Sequence, residues 1–260
     1  MTKSKAMSGE LRGRCAVVLG GTSGIGRSLA LGLARQGATV IASSRNQDAV
    51  AAVSGEIEAL GISTLTMSSD VGDRASLVRL KDAVLSRFGA VDILVNSAGM
   101  TKRVPTLEMD ENLWRQIMDI NLTGTLRSCQ IFGAAMLQRR FGRIVNIASL
   151  STFVAFHEVA AYGASKAAIG ALTRSLAIEW APFGVTVNAI APGVFPTALN
   201  RKIIDSPRGK ELLERTPIKR YGEPEELVSA LLYLVSPGSS FTTGQIVTVD
   251  GGFLASGVNQ

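Results

Sequence analysis

The sequence is poor in side chains that hold metals. Its 260 residues include one histidine, His157, and two cysteines, Cys15 and Cys129. Zinc centres built from four cysteines, or from two cysteines and two histidines, are therefore excluded, as is any multi-histidine centre. A Ser-His-Asp hydrolase would have a single candidate base. We predict no metal site, so the chemistry must come from other side chains or from a cofactor.

The sequence also lacks the features of membrane, secreted and nucleic-acid-binding proteins. It has no run of about 18 apolar residues, and its first ten residues contain no apolar core of a secretion signal. Aromatic residues make up 5% of the chain and the cations are spread along it, whereas a nucleic-acid binder concentrates both on one element. The cysteines lie far apart in apolar surroundings, as free thiols of a reducing compartment do. We therefore expect a cytoplasmic protein that binds neither membrane nor nucleic acid.

Apolar, β-branched runs alternate with segments of helical period along the whole sequence. Seven strands are predicted, at Cys15–Leu19, Thr39–Ala42, Ile62–Met67, Val91–Val95, Arg143–Ile147, Val185–Ile190 and Gln245–Val249. Six helices lie among them, and Asp73 and Gly89 are expected to begin and end the third. Repeated βαβ units form a parallel sheet with helices on both faces. The sequence predicts one α/β domain at residues 13–260, a Rossmann-type doubly wound parallel sheet, preceded by a flexible arm at residues 1–12.

A glycine-rich turn follows the first strand and runs straight into a helix. Its glycines have the spacing G-x-x-x-G-x-G. Glycine lets the backbone turn sharply and approach a pyrophosphate, whose charge is stabilised at the helix N-terminus. Tight packing of strand against helix would favour the same glycines. The residues predicted to bind the cofactor here are Gly20, Thr22, Ser23, Gly24, Ile25 and Gly26.

Polar and small residues follow the next three strands. Ser44 and Arg45 come after the second, where an acidic residue would bind a ribose 2′-hydroxyl and an arginine would meet a 2′-phosphate. This favours NADP over NAD, the alternative being an exposed loop arginine. Asp70, followed by Val71, would take the adenine amino group or simply precede a helix. The fourth strand is followed by residues that let a ligand approach closely, Asn96, Ala98 and Gly99.

A candidate acid–base group follows the fifth strand. Ser149 comes first, and Tyr162 and Lys166 then begin a helix with a spacing that puts both on one helix face. We expect the cation to lower the pKa of Tyr162 from its usual value near 10, which makes the phenol a general acid for a carbonyl or its phenolate a base for an alcohol. Asn121 lies mid-helix among poor helix formers. This predicts either a simple kink or a distortion whose carbonyl or side chain holds a water.

In their combination and order, these motifs resemble those of the short-chain dehydrogenase/reductase family along nearly the whole chain. The family pattern comprises the glycine turn, Asp70, N-x-A-G, a mid-helix Asn, Ser, Y-x-x-x-K, and P-G with a following Thr. The resemblance implies a catalytic triad of Ser149, Tyr162 and Lys166, extended by Asn121. The cofactor contacts that it implies are Tyr162, Lys166, Pro192, Gly193, Val194, Thr197 and Asn96.

Three positions depart from the family pattern. Leu19 stands where the family usually has threonine, and Ser97 where it has a second asparagine. These changes affect local stabilising contacts and not the chemistry. Ser23 stands where many NADP-specific members have a basic residue, so NAD remains an alternative cofactor.

The resemblance implies hydride transfer between a nicotinamide cofactor and a carbonyl or secondary alcohol. It also implies a substrate lid at about residues 193–222 and a homotetramer. Basic residues of the lid, together with Lys102 and Arg103, would draw an anionic small-molecule substrate or form a solvated basic surface. The runs 102–109 and 215–222 resemble the gluconate 5-dehydrogenase and related sugar-acid branch.

Two alternatives stay open. The 3-oxoacyl-carrier-protein reductases share much of the same pattern, and their acidic carrier protein would also suit a basic rim. A non-catalytic NADP-sensing protein would keep the fold without the chemistry. Such a protein is expected to lose Ser149, Tyr162 or Lys166, and all three are intact.

Overall fold

The computed structural model describes residues 10–197 and 201–257. Their strands form one parallel sheet with the order β2-β1-β3-β4-β5-β6. The strands are β1 (Cys15–Leu19), β2 (Thr39–Ser43), β3 (Ile93–Asn96), β4 (Gly142–Ile147), β5 (Val185–Pro192) and β6 (Ile246–Val249). The chain runs outward from β1 to β2 and then returns to place β3 on the other side of β1. Ligands bind such sheets at this reversal, outside the carboxyl ends of the strands.

Helices cover both faces of the sheet. They are α1 (Gly24–Arg35), α2 (Gln47–Ala59), α3 (Arg74–Phe88), α4 (Glu111–Met118), α5 (Gly124–Gln138), α6 (Ala160–Trp180), α7 (Arg201–Ile204), α8 (Pro207–Glu214) and α9 (Leu227–Val235). Along β1, Ala16 and Val18 pack with α1, α2 and α9, whereas Val17 and Leu19 pack with α3, α5 and α6. Both faces of β1 are therefore buried, as is typical of a parallel sheet. Among the described residues, no helix combines the length and apolar character that a membrane span requires.

Local sequence signals set the ends of several helices. The Asp73 carboxylate accepts a hydrogen bond from the Ala75 N–H at 2.8 Å, and Gly89 ends α3 with φ of 77°. Both predictions for this helix are confirmed. At the start of α2, the Asn46 side chain accepts from the Ala49 N–H at 3.0 Å. Each such cap satisfies a backbone donor that the helix itself leaves unpaired.

The predicted doubly wound parallel sheet is confirmed, and residues 10–197 and 201–257 supply six strands where about seven were predicted. The segment Ile62–Met67, predicted as the third strand, is not paired with the sheet as a strand. Two hydroxyl groups hold it beside β2 instead. Thr64 Oγ1 donates to the Val40 carbonyl at 2.6 Å, and Ser43 Oγ donates to the Met67 carbonyl at 2.7 Å. Side-chain bonds thus replace a backbone ladder along this part of β2.

The helix predicted around Asn121 contains a distortion. Asp119–Thr123 forms a π-helical turn between α4 and α5, and Asn121 lies at its centre. A π turn is a wider helical turn that occurs frequently at functional sites. The structure therefore has the local distortion that the poor helix formers around Asn121 predict.

Two predicted segments, the arm at residues 1–12 and the lid at about residues 193–222, are only partly covered by the described residues. Residues 1–9 of the predicted arm, and residues 198–200 of the predicted lid, lie outside the described residues. Leu11 is 2% exposed and its N–H donates to the Gln36 carbonyl at 3.1 Å, so it packs into the domain and not in an arm. Within the predicted lid at about 193–222, the described residues include two helices, α7 and α8.

Candidate active site

A crevice of about 640 Å³ opens along the carboxyl edge of the sheet. The segments that follow the parallel strands converge there because parallel strands end at one edge. It brings together most residues that the sequence analysis selected. Those lining it are Gly20, Ser23, Gly24, Ile25, Gly26, Ser44, Arg45, Asp70, Val71, Ala98, Gly99, Ser149, Tyr162, Lys166, Pro192, Gly193 and Thr197.

The glycine turn after β1 has no space for side chains. A Cβ on Gly20 would lie 2.6 Å from the Ala98 nitrogen, and one on Gly26 would lie 2.1 Å from the Gly20 carbonyl oxygen. Gly20 and Gly24 also have φ of 73° and 47°, which L side chains rarely adopt. A Cβ on Gly24 would lie 3.1 Å from Thr197 Cγ2 across the crevice. Gly20 and Gly26 thus let the turn pack against neighbouring backbone, and Gly24 keeps open the part of the crevice between the start of α1 and Thr197, called the glycine channel below.

The N-terminus of α1 is suited to an anion. All its residues are described, and its first turn contains no acidic residue; the N-cap Ser23 makes no side-chain capping bond. The first backbone N–H groups therefore remain available, and the helix dipole favours negative charge there. Together with the glycine channel, this arrangement fits the pyrophosphate of a dinucleotide.

The end of β2 forms the neighbouring wall. Thr22 Oγ1 donates to Ser44 Oγ at 2.8 Å, which ties the glycine turn to the segment carrying Arg45. Arg45 is exposed and makes no ion pair with a carboxylate among the described residues. Asp70 lies beyond it, with Oδ1 accepting the Gly72 N–H at 2.8 Å. The wall presents one unpaired guanidinium group to the crevice.

Ser149, Tyr162 and Lys166 lie together at the other end of the crevice. Tyr162 and Lys166 occupy the first turns of α6, and Ser149 follows β4. Lys166 is 6% exposed; its Nζ donates to the Ile147 carbonyl at 2.6 Å and lies 5.7 Å from the centre of the Tyr162 ring. The predicted phenol–ammonium pair is therefore present on one helix face, beside a hydroxyl group.

The pKa of Tyr162 is shifted in the direction opposite to the one expected from the sequence. Burial raises the pKa of Tyr162, although a hydrogen bond from Ser149 acts to lower it. Burial also lowers the pKa of Lys166 to about 8. Both shifts have the same origin, because a low-dielectric site disfavours the charged forms, phenolate and ammonium. The expectation that the ammonium would lower the pKa of Tyr162 below its usual value was wrong for this protein, since desolvation raises that pKa and the opposing group is Ser149 and not Lys166.

Asn121 does not line the crevice, but it binds Met100, which does. Its side chain is 1% exposed; Oδ1 accepts the Met100 N–H at 2.8 Å and Nδ2 donates to the Met100 carbonyl at 2.9 Å. The second amide proton goes to Ser165 Oγ at 3.0 Å. Both amide protons are therefore used within the protein. A Cβ on Gly99 would lie 3.3 Å from Asn121 Oδ1 and 3.8 Å from Lys166 Nζ, so Gly99 packs against both groups.

Three other selected residues lie outside the crevice lining among the described residues. Thr22 is hydrogen-bonded to Ser44, which does line the crevice, and Val194 lines a separate cavity of about 120 Å³. The Asn96 side chain points into the core, where Nδ2 donates to Asn146 Oδ1 at 2.8 Å and Oδ1 accepts from Ser128 Oγ at 2.6 Å. Asn96 thus joins strands and helices and does not face the crevice with its side chain.

Sequence reasoning missed several lining residues. They are Leu19, Ser43, Ser69, Ser97, Met100, Thr101, Ile120, Ile147, Ala148 and Phe195. Most of them adjoin a residue that was selected. Extending each selected segment at a strand end by one residue would therefore have found them. Phe195 carried a clearer signal, because it is the single aromatic residue in the P-G-V-F-P-T run after β5.

Comparison with known proteins gives relatives over almost the whole chain. A family model described as "Enoyl-(Acyl carrier protein) reductase" matches residues 20–254. Gluconate 5-dehydrogenase of Gluconobacter oxydans is 36% identical over 247 residues, covering 95% of this chain and 96% of the relative. Galactitol 2-dehydrogenase (L-tagatose-forming) of Cereibacter sphaeroides is 41% identical over 246 residues, covering 94% and 96%.

A solved structure agrees equally well in three dimensions. The crystal structure of a gluconate 5-dehydrogenase from Burkholderia cenocepacia in complex with NADP and tartrate has a TM-score of 0.92. It is 35% identical, and the match covers 96% of this chain and 99% of that one. Similarity of this extent in sequence and fold decides the relationship: the chain belongs to the short-chain dehydrogenase/reductase family of oxidoreductases.

Proposed function

We propose that the protein is an NADP-dependent dehydrogenase that interconverts a secondary alcohol and a ketone on a sugar acid or sugar. The observation that carries the proposal is the single crevice with Arg45 at one end and Ser149, Tyr162 and Lys166 at the other. A hydride and a proton together convert a carbonyl to an alcohol. The two ends suit these two needs, because one end fits the cofactor and the other exchanges the proton.

Three features of this chain fit NADP. The glycine channel and the α1 N-terminus would hold the pyrophosphate, and Arg45 would meet the 2′-phosphate. Lys166, Pro192, Gly193 and Thr197 would border the nicotinamide half. When bound, NADP accepts or supplies the hydride at the reacting carbon. The neighbour from Burkholderia cenocepacia, described with NADP, supports this choice, and NAD remains the alternative.

The chain's own residues handle the proton. In reduction the Tyr162 phenol donates its proton to the carbonyl oxygen, and in oxidation the phenolate takes the proton of the alcohol. The Ser149 hydroxyl hydrogen-bonds the same oxygen and holds it beside the phenol. Lys166, one helical turn away, would stabilise the phenolate by its charge, and the Ser149 hydrogen bond opposes the desolvation that raises the pKa of Tyr162. At neutral pH the phenol is the resting form, ready to act as an acid.

The substrate class is inferred from charge beside the crevice. Arg103 lies two residues after Thr101, which lines the crevice, and it pairs with Glu158. Arg208 on α8 donates to the His157 carbonyl at 3.1 Å and so places a second guanidinium group nearby. Such cations attract an anion. The relatives named above are described as acting on gluconate and galactitol, and the solved neighbour holds tartrate.

The carrier-protein alternative has one observation in its favour, the description of the matching family as an acyl-carrier-protein reductase.

The proposal is tested by assaying the purified protein with NADPH and NADH, and with the oxidised cofactors. The substrates are a sugar acid, a hexitol and an acyl thioester of matched concentration. We expect turnover of the sugar acid with NADP. Turnover of the thioester alone would favour the carrier-protein reductase, and no turnover of any substrate would contradict the proposal.

The proposal includes assembly into a cytoplasmic homotetramer. Large apolar side chains are exposed near the end of α6 and around α9, where Ile178 is 78% and Tyr233 is 53% exposed. Phe241, in the loop after α9, is 102% exposed. Large apolar side chains exposed in this way are candidates for contacts between subunits. Light scattering coupled to size-exclusion chromatography would give the mass, and a monomer at micromolar concentration would contradict this part.

A further inference from the structure

Ser165 is a fully buried hydroxyl group between Tyr162 and Lys166 on α6. It is 0% exposed. Its Oγ donates to the Tyr162 carbonyl at 2.7 Å and accepts from Asn121 Nδ2 at 3.0 Å. The mechanism above gives it no role, yet it contacts the helical turn that carries Tyr162 on one side and the π turn on the other.

The direction of each hydrogen bond is fixed by the number of protons. The single Ser165 hydroxyl proton goes to the Tyr162 carbonyl, which can only accept, so Asn121 must be the donor to Ser165. The amide of Asn121 is held in turn by Met100, whose N–H and carbonyl bind its Oδ1 and Nδ2. A flipped amide would put donor against donor and acceptor against acceptor. The donor and acceptor of every hydrogen bond from Met100 to Tyr162 are therefore fixed.

These bonds join three segments around the crevice. Met100 lines the crevice directly, Asn121 lies in the π turn, and Ser165 lies one residue before Lys166. Because the Asn121 and Ser165 side chains are buried, water cannot easily replace the hydrogen bonds that they make. The position of the first turns of α6 is thus coupled to the loop after β3.

We propose that Ser165 is a positioning residue, which locks the turn carrying Tyr162 and Lys166 against the Met100 loop through Asn121. The phenol is thereby kept beside Ser149, whose hydrogen bond acts to lower the pKa of Tyr162. This inference rests on the proposed function, because the position of the phenol matters only if Tyr162 exchanges the substrate proton. Small displacements of such groups cost catalytic rate steeply.

The chain offers a matched control on the same helix. Thr173 is also 0% exposed; its Oγ1 donates to the Ile169 carbonyl at 2.8 Å and accepts from Asn146 Nδ2 at 3.0 Å. The Thr173–Asn146 pair repeats the Ser165–Asn121 arrangement two turns along α6. Among the described residues, neither member of this second pair lines the crevice.

The test compares Ser165→Ala with Thr173→Val in the full-length protein. The first readout is the titration of Tyr162, followed by NMR with ¹³C at tyrosine Cζ, since the chain has only three tyrosines. We expect S165A to raise the pKa of Tyr162 by about 0.5 to 1 unit, because the Ser149 contact loosens. We also expect kcat to fall about tenfold with KM changed less than about threefold. T173V should move neither readout.

An unchanged Tyr162 titration in S165A, or equal effects of S165A and T173V, would overturn the proposal. If S165A fails to fold, Ser165→Cys keeps the shape with a weak donor and acceptor, and it is read in the same way. The titration needs no turnover. An inactive wild type whose Tyr162 still shifts in S165A would therefore contradict the proposed function and support the positioning role.

Discussion

The side-chain ammonium of Lys166 donates a 2.6 Å hydrogen bond to the main-chain carbonyl of Ile147, the last residue of β4. This bond attaches the start of α6 to the strand whose extension carries Ser149. It also places the ammonium in a site where burial lowers the pKa of Lys166 to about 8. The contact therefore fixes the position of the cation, and its burial there sets the pH range in which it is charged.

Tyr162→Phe tests the proton transfer. The variant keeps the ring and its packing but has no proton to exchange, so kcat should fall by about 10² to 10⁴-fold. NADPH affinity, measured by fluorescence titration, should change less than about threefold because the hydroxyl is not expected to hold the cofactor alone. Tyr233→Phe, at an exposed tyrosine, is the control. Retention of most activity in Y162F would refute the assigned role.

The choice of cofactor should depend on Arg45. Loss of a charge-assisted bond to the 2′-phosphate in Arg45→Ala should weaken NADPH binding by about 10 to 100-fold, whereas NADH binding stays the same. Arg115→Ala, which removes an exposed arginine of α4 paired with Glu111, should affect neither cofactor. Equal losses for NADPH and NADH in R45A would show that Arg45 does not read the 2′-phosphate.

The pH dependence should follow from the two opposite shifts. Below about pH 8 Lys166 is charged, and the raised pKa of Tyr162 keeps the phenol protonated. We expect kcat for ketone reduction to be level up to about pH 8 and to fall above it, because neutral Lys166 leaves the phenol a poorer acid. Oxidation needs the phenolate and should rise with pH. Circular dichroism at each pH would confirm folding, and a reduction rate level to about pH 10 would be the contrary result.

Both thiols should be inert in the folded protein. Cys15 is 4% and Cys129 is 0% exposed, and burial raises the pKa of each to about 12. Reaction needs an accessible thiolate, so a disulfide reagent at about pH 8 should label neither cysteine until denaturant is added. Labelling that is complete before unfolding, as judged by tryptophan fluorescence, would be inconsistent with these shifts.

The sequence predicts those parts of the site whose requirements are local. Gly20 and Gly24 adopt positive φ, and Tyr162 and Lys166 share a helix face because of their spacing alone. Asp73 and Gly89 bound α3 for similarly local reasons. Such features depend on a few neighbouring residues, and a pattern of residue types is enough to find them.

Features that depend on a balance of distant contacts were not predictable. The direction of the Tyr162 shift is set by how far the fold removes water, against the charges and hydrogen bonds nearby. The Asn96 side chain faces Asn146 and Ser128 because of how β3, β4 and α5 meet. The Ile62–Met67 run has strand composition, but hydroxyl bonds to β2 replaced the ladder.

The segment with α7 and α8, whose described residues do not line the crevice, is attached differently from the crevice wall. Its contacts with the surrounding loops include exposed bonds such as that from Arg208 to the His157 carbonyl, whereas Asn121, Ser165 and Lys166 are buried. Under the proposed function, we expect substitutions in this segment to change which sugar or sugar acid is admitted without disturbing the proposed proton donor. A lineage could in this way exchange an acidic for a neutral polyol over few mutations, while the proposed reaction itself stays constant.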